Sequence, residues 1–168
     1  MANVKTFSFK TLPADCEELT KWPGFDLGDP YCVAAMAVAA LCIYPSDRNA
    51  AVEMLNHLKG PEKLSESQKQ FIRDRFMDGK DYVPRSYFAG AVPGNDYQPD
   101  LPYTISVSDN PYSDENEGYK KLFVTSGGAD SPRAIVLRCK PSTGEWFLWE
   151  FSGILSGIRI PESSDPWA

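Results

Sequence analysis

The sequence predicts an α+β fold in which N-terminal helices pack on a C-terminal antiparallel meander sheet of about four strands. Three observations carry this. Helix start and stop signals cluster before residue 80, period-two alternation sets in near Tyr103, and helices and strands do not interleave as a parallel sheet would require. At 168 residues the chain suits a single domain able to bury its own core. The expected layout is a helical half over about 12–79, an aromatic loop over 80–102, a sheet half over 103–160 and a tail over 161–168.

Thr6, Ser8 and Lys10 alternate with Phe7 and Phe9, the pattern of a short strand or an ordered arm. Leu12-Pro13-Ala14-Asp15 opens a short helix that reaches Leu19, with Pro13 near its first turn, before Trp22-Pro23-Gly24 ends it. Asp29 can cap and Pro30 fits the first helical position ahead of an unbroken apolar run from Tyr31 to Tyr44. A helix apolar on every side must be surrounded, and about 14 residues reach only about 21 Å, too short for a bilayer. It is therefore expected at the centre of the fold.

A second long helix starts at Ser46 or Asp47 and carries Ala50, Ala51, Met54, Leu55 and Leu58 on one face, until Gly60-Pro61 stops it. Ser65 and Gln68 form a capping-box pattern for a third, with Phe71, Ile72 and Phe76 as its apolar stripe before Gly79. Prolines 84, 93, 99 and 102 then break regular structure, and a connection this long is either a packed Ω-like loop or a binding loop. Strands follow at Tyr103–Ser108, Tyr119–Thr125, Arg133–Cys139 and Glu145–Phe151, joined by turn sequences short enough for hairpins. In the tail, Trp167 is the expected anchor.

The net charge of −6 and a pI near 4.8 disfavour nucleic acid and anionic membranes as partners, both of which select for surplus Lys and Arg. Cys16, Cys32, Cys42 and Cys139 show no C-x-x-C spacing and read as free thiols in a reducing compartment. With no apolar leader in the first residues, a cytoplasmic setting is expected.

Few residues suggest chemistry. His57 is the only histidine, one helical turn after Glu53, which precludes a multi-histidine metal site and favours a surface or boundary role. The acidic stretch Asp109, Asp114, Glu115 and Glu117 lacks the spacing and mid-loop glycine of a calcium loop, so no metal is expected. Gly127-Gly128 resembles a phosphate loop in composition only. Trp146, Phe147, Trp149 and Phe151 put aromatics on both faces of the last strand, which ordinarily means cover on both sides; the alternative is an exposed aromatic platform. The best binding set is Tyr82, Arg85, Tyr87, Tyr97 and Tyr103 around the long loop, because Tyr and Arg are enriched at recognition hot spots. The competing reading has the same tyrosines latching the loop to the helices and sheet.

The runs Ala34–Leu41, Glu53-Met54-Leu55-Asn56, Tyr82-Val83-Pro84-Arg85-Ser86-Tyr87-Phe88, Gly127–Arg133, Trp146–Glu150, Gly157-Ile158-Arg159 and Asp165-Pro166-Trp167-Ala168 resemble a family of bacterial proteins of unknown function. That resemblance implies a bacterial, stand-alone domain and carries no activity, cofactor or catalytic residue. The expectation for function is a non-enzymatic binding or protein-interaction module that engages a protein or small molecule without a cofactor. Its rivals are a small enzyme with a cleft of carboxylates and tyrosines, with Glu53, Asp74, Tyr82 and Arg85 as candidates, and a structural oligomer subunit.

Overall fold

The computed structural model describes residues 2–168 and contains five α-helices and one five-stranded antiparallel sheet. In chain order these are β1 (Val4–Phe9), α1 (Cys16–Lys21), α2 (Pro30–Ile43), α3 (Arg48–Lys59), α4 (Glu66–Arg75), α5 (Tyr82–Arg85), β2 (Tyr103–Ser108), β3 (Tyr119–Val124), β4 (Arg133–Lys140) and β5 (Glu145–Glu150). The sheet order is β1-β2-β3-β4-β5, so the C-terminal four strands form the expected meander. A fifth strand, β1, extends it at the β2 edge, in register from Val4 opposite Ser108 to Phe9 opposite Tyr103. The sheet thus crosses the two-halves layout, drawing its first strand from ahead of all the helices.

The helix termini obey their local signals. Asp29 accepts from the Tyr31 amide at 3.0 Å with Pro30 at the first turn, Asp47 accepts from Ala50 at 3.1 Å, and Ser65 with Gln68 closes a reciprocal capping box. Asp15 caps the Glu18 amide at 2.9 Å, which starts α1 at Cys16, after Pro13 rather than around it. No helix is long and apolar enough to cross a membrane among the described residues.

Apolar on every side, α2 is the axis of the molecule. Residues Tyr31 to Leu41 are all buried, and the helix touches all five strands as well as α3 and α5. Its alanines at 34, 35, 37, 39 and 40 are fully enclosed, so sheet and helices approach its backbone closely. The sheet curls around it as a half-barrel. One physical cause is visible in the ladder: β2 and β3 pair through only Val107–Val124 and Ser108–Phe123, so the sheet bends between these strands. A bulge at Val136/Leu137 adds a second bend between β4 and β5. Strand residues alternate accordingly, with Ile105, Val107, Leu122, Val124, Ile135, Leu137 and Leu148 inside. On the outer face of β1 and β2, hydroxyls pair instead, Thr6 with Ser106 at 2.9 Å and Ser8 with Thr104 at 3.0 Å.

The tail departs from expectation. Trp167 is 92% exposed and anchors nothing; segment 161–168 is held instead by a 3-10 turn at Glu162–Ser164 and a hydrogen bond between Ser163 and Asp96.

Candidate functional site

The aromatic loop is packed rather than open. Tyr82, Val83, Pro84, Tyr87, Phe88, Ala91 and Tyr97 are buried, with α5 and a 3-10 turn at Pro93–Asn95 inside the segment expected to lack structure. Tyr82 stacks on Tyr97 with ring centroids 5.1 Å apart and planes 12° from parallel. The Tyr87 hydroxyl donates to the Ile154 carbonyl at 2.6 Å and the Tyr97 hydroxyl to the Arg159 carbonyl at 2.5 Å. Arg85 spans the loop from below, donating Nε to the Tyr97 carbonyl at 3.2 Å and a terminal nitrogen to the Asp96 carbonyl at 3.1 Å. Tyr103, half-buried on β2, meets Phe88 edge-on at 5.8 Å.

The same latch absorbs Gly127-Gly128. Gly127 donates its amide to the Ser86 carbonyl at 2.9 Å, and the buried Ser126 hydroxyl bonds the Ser86 hydroxyl at 2.7 Å. All five loop residues therefore spend their polar groups or rings on the chain itself. Burial also raises the pKa of Tyr82 and Tyr97, and that of Tyr87 furthest, as expected of phenols held neutral in a packed interior.

Other motifs resolve structurally too. Asp109 accepts from the Asn3 amide at 2.7 Å and the Tyr31 hydroxyl at 2.9 Å, tying the start of β1 to α2, while Asp114 pairs with Lys120 at 3.0 Å. No metal-competent cluster occurs among the described residues. His57 sits beside Phe25, ring centroids 5.9 Å apart. The carboxylates of the enzyme reading are not gathered with the tyrosine: Glu53 lines a groove of about 550 Å3 between α3 and α4, Asp74 accepts from Gln70 at 2.7 Å, and Tyr82 belongs to the latch. That groove holds charges of both signs, with Lys69 paired to Glu66 at 3.3 Å.

A different place combines burial, charge and aromatic surface. On β5, Leu148 points to the core, while Phe147 and Trp149 lie on the outer face, only half covered. The cover is the turn after α3. Gly60, at φ 65°, reverses the chain so closely over Phe147 that a Cβ there would meet its ring at 2.4 Å. Behind this turn a cavity of about 250 Å3 opens between Lys59, Glu62, Arg138, Lys140, Phe147 and Trp149. Arg138 stands opposite Phe147 in the ladder and lays its guanidinium over the Trp149 ring at 4.6 Å and the Tyr119 ring at 5.7 Å. Its ion pair with Glu62 is long, 3.9 Å, and half-exposed, so it holds the arginine only weakly.

Lys59 is the unusual member. It is 5% exposed, and its ammonium has no hydrogen bond or ion pair among the described residues, where no buried side-chain nitrogen or oxygen is left without a partner; the stem is therefore buried while the ammonium opens on the cavity. Burial lowers its pKa from the ordinary 10.5, with Glu62 and Glu150 opposing the shift from a distance. The unfolded chain thus binds more protons than the folded one between the lowered pKa and 10.5, so stability rises with pH across that window. Lys59→Met keeps the stem and removes the unpaired charge. It is expected to raise the unfolding free energy at pH 7, a gap that closes once the pH passes 10.5. Urea denaturation of both proteins at the two pH values measures this.

These observations define an α+β domain whose central helix is wrapped by a curled sheet, with a small cationic, aromatic-walled pocket on the sheet's outer face. The chain belongs to the family described as Domain of unknown function (DUF6935), whose pattern covers residues 11–162. The pocket and the latch lie inside that span; β1 and Trp167 lie outside it. Neither the curated proteins nor the solved structures contain a match.

Proposed function

We propose that this domain is a non-enzymatic binding module and that its site is the pocket of Lys59, Arg138, Lys140, Phe147 and Trp149, with a flat, apolar group bearing a carboxylate as the ligand. The supporting observation is Lys59: its stem is buried and its ammonium, held by no hydrogen bond or ion pair, opens on the cavity, where it can meet an entering anion. Trp149 and Phe147 supply the faces for a planar body, and Arg138 stacks and donates. At about 250 Å3 the cavity falls below the usual range for drug-sized ligands and suits one ring or one side chain. A cytoplasmic setting and the absence of nucleic acid among its partners form part of the same proposal, supported by four free thiols and the net charge of −6.

Indole-3-acetate is a suitable probe, with neutral indole-3-acetamide as its control. About 13 heavy atoms at about 0.3 kcal/mol each give a Kd of about 1 mM. Titration followed by amide and indole NMR shifts should show saturable changes at Trp149 and Arg138, with the acetamide and Arg138→Ala each weaker by about tenfold. Equal binding of acid and amide, or no saturable shift, would rule out the proposal.

A further inference from the structure

Trp167 is 92% exposed, yet the backbone that carries it is well held. Its amide donates to the Asp165 carboxylate at 2.9 Å, the Ala168 amide to the Asp165 carbonyl at 3.2 Å, and the Asp165 amide to the Glu162 carbonyl at 3.1 Å. The hydrogen bond between Ser163 and Asp96 fixes the turn to the loop beside Tyr97. A large ring presented by an ordered turn, packed against nothing, has little ordering entropy left to lose on binding.

We infer that this tail docks into a second copy of the same chain, Trp167 of one copy entering the Lys59–Arg138–Trp149 pocket of the next. The inference rests on the reading of that pocket as a binding site. Charge complementarity selects the occupant: segment 161–168 carries Glu162 and Asp165 and no basic residue, whereas the pocket lining carries Lys59, Arg138 and Lys140 against one acid, Glu62. The entering indole lies within reach of the Arg138 guanidinium, and a tail carboxylate compensates Lys59.

The contact forms between copies because each copy's tail is held away from its own pocket. The tail sits at the start of β4, where Arg133 donates to the Gly157 carbonyl at 3.0 Å and Arg159 donates its amide to Gly128 at 2.9 Å. The pocket lies at the other end of β4, about 20 Å away along the strand, and the hydrogen bonds of Ser163 and Asp165 hold the turn and Trp167 at their own end. Tail and pocket are different patches, so the association is head-to-tail and builds rings or open chains rather than a two-fold dimer. One inserted turn and its indole bury less than a stable interface needs, so assembly is weak and set by concentration.

Sedimentation equilibrium of the full chain from about 10 µM to about 1 mM tests this. The weight-average mass should climb above the 18.7 kDa monomer, and W167A and R138E should each stay monomeric with unchanged circular dichroism. Mixing the two variants should restore association but cap it at one of each, since one supplies only a pocket and the other only a tail. Indole-3-acetate should dissolve the wild-type assembly. A monomeric wild type throughout, or W167A that still associates, overturns the docking. If indole-3-acetate still binds W167A in that case, the pocket reading stands and only the self-association fails; if it does not bind, both fail.

Discussion

Gly127→Ala is expected to destabilise the fold by about 3 kcal/mol, among the largest effects available from adding a single methyl group. A Cβ at this position would lie 2.0 Å from the Ala91 carbonyl oxygen and 3.1 Å from its carbon. The obstacle is backbone, which no rotamer change can move aside. Gly127 is also tied in place by its hydrogen bond to the Ser86 carbonyl, so relief requires the whole loop or the turn before β4 to shift. Gly144 is the control: its φ of 73° strains an alanine, but nothing stands within 4 Å of the added carbon. Substitution there should cost about 1 kcal/mol, from backbone conformation alone. Urea midpoints for the two variants make the comparison. Equal losses would mean that the aromatic loop is not seated against the Gly127 turn.

What the sequence made legible was whatever its local chemistry encodes. Asp29-Pro30 and Ser65 with Gln68 act within a single turn, so helix starts could be read to within about a residue. The burial of α2 followed from composition, because a helix without a polar side has no other place to go. The pairing of β1 did not follow, since its partner β2 lies roughly a hundred residues away and three alternating positions do not specify an edge. Tyr87 and Tyr97 were visible as a group, but their acceptors are the backbone carbonyls of Ile154 and Arg159, which carry no side-chain signature. Lys59 was hidden for a related reason. A lysine in the last turn of a helix is ordinary, and only the Gly60 turn and the β4–β5 register reveal that it is buried beside Arg138 and Trp149. One signal was available: aromatics on both faces of β5, of which the structure leaves the outer pair half exposed.

Aromatic residues thus divide between two tasks according to the face they occupy. Those of the loop turn inward and exhaust their hydroxyls on the chain, which makes the loop rigid. Those of β5 and β3 turn outward and meet a cation that the protein itself leaves incompletely paired. Rigidity in the first supports the second, because the latch fixes the segment on either side of β4 and β5 from which the pocket is built.

The rigidity of the latch is tested most severely at Tyr97. Replacement by alanine is expected to cost about 4 kcal/mol, since a fully buried aromatic ring is deleted from between Tyr82 and the Gly128 turn. Tyr97→Phe separates the ring from its hydroxyl: the loss should fall to about 1 kcal/mol, the value of one hydrogen bond to the Arg159 carbonyl. Gly128 reports on the same contact from the other side, because a Cβ there would meet the Tyr97 oxygen at 2.1 Å and the Ile158 side chain at 2.9 Å. In wild type, Gly128→Ala should therefore destabilise by about 2 kcal/mol, while in Tyr97→Ala, where the ring has gone, the same change should cost much less. Urea denaturation of the four proteins closes the cycle. Additive losses would show that Tyr97 does not seat against Gly128, and that the loop is held by the Tyr87 and Arg85 hydrogen bonds alone.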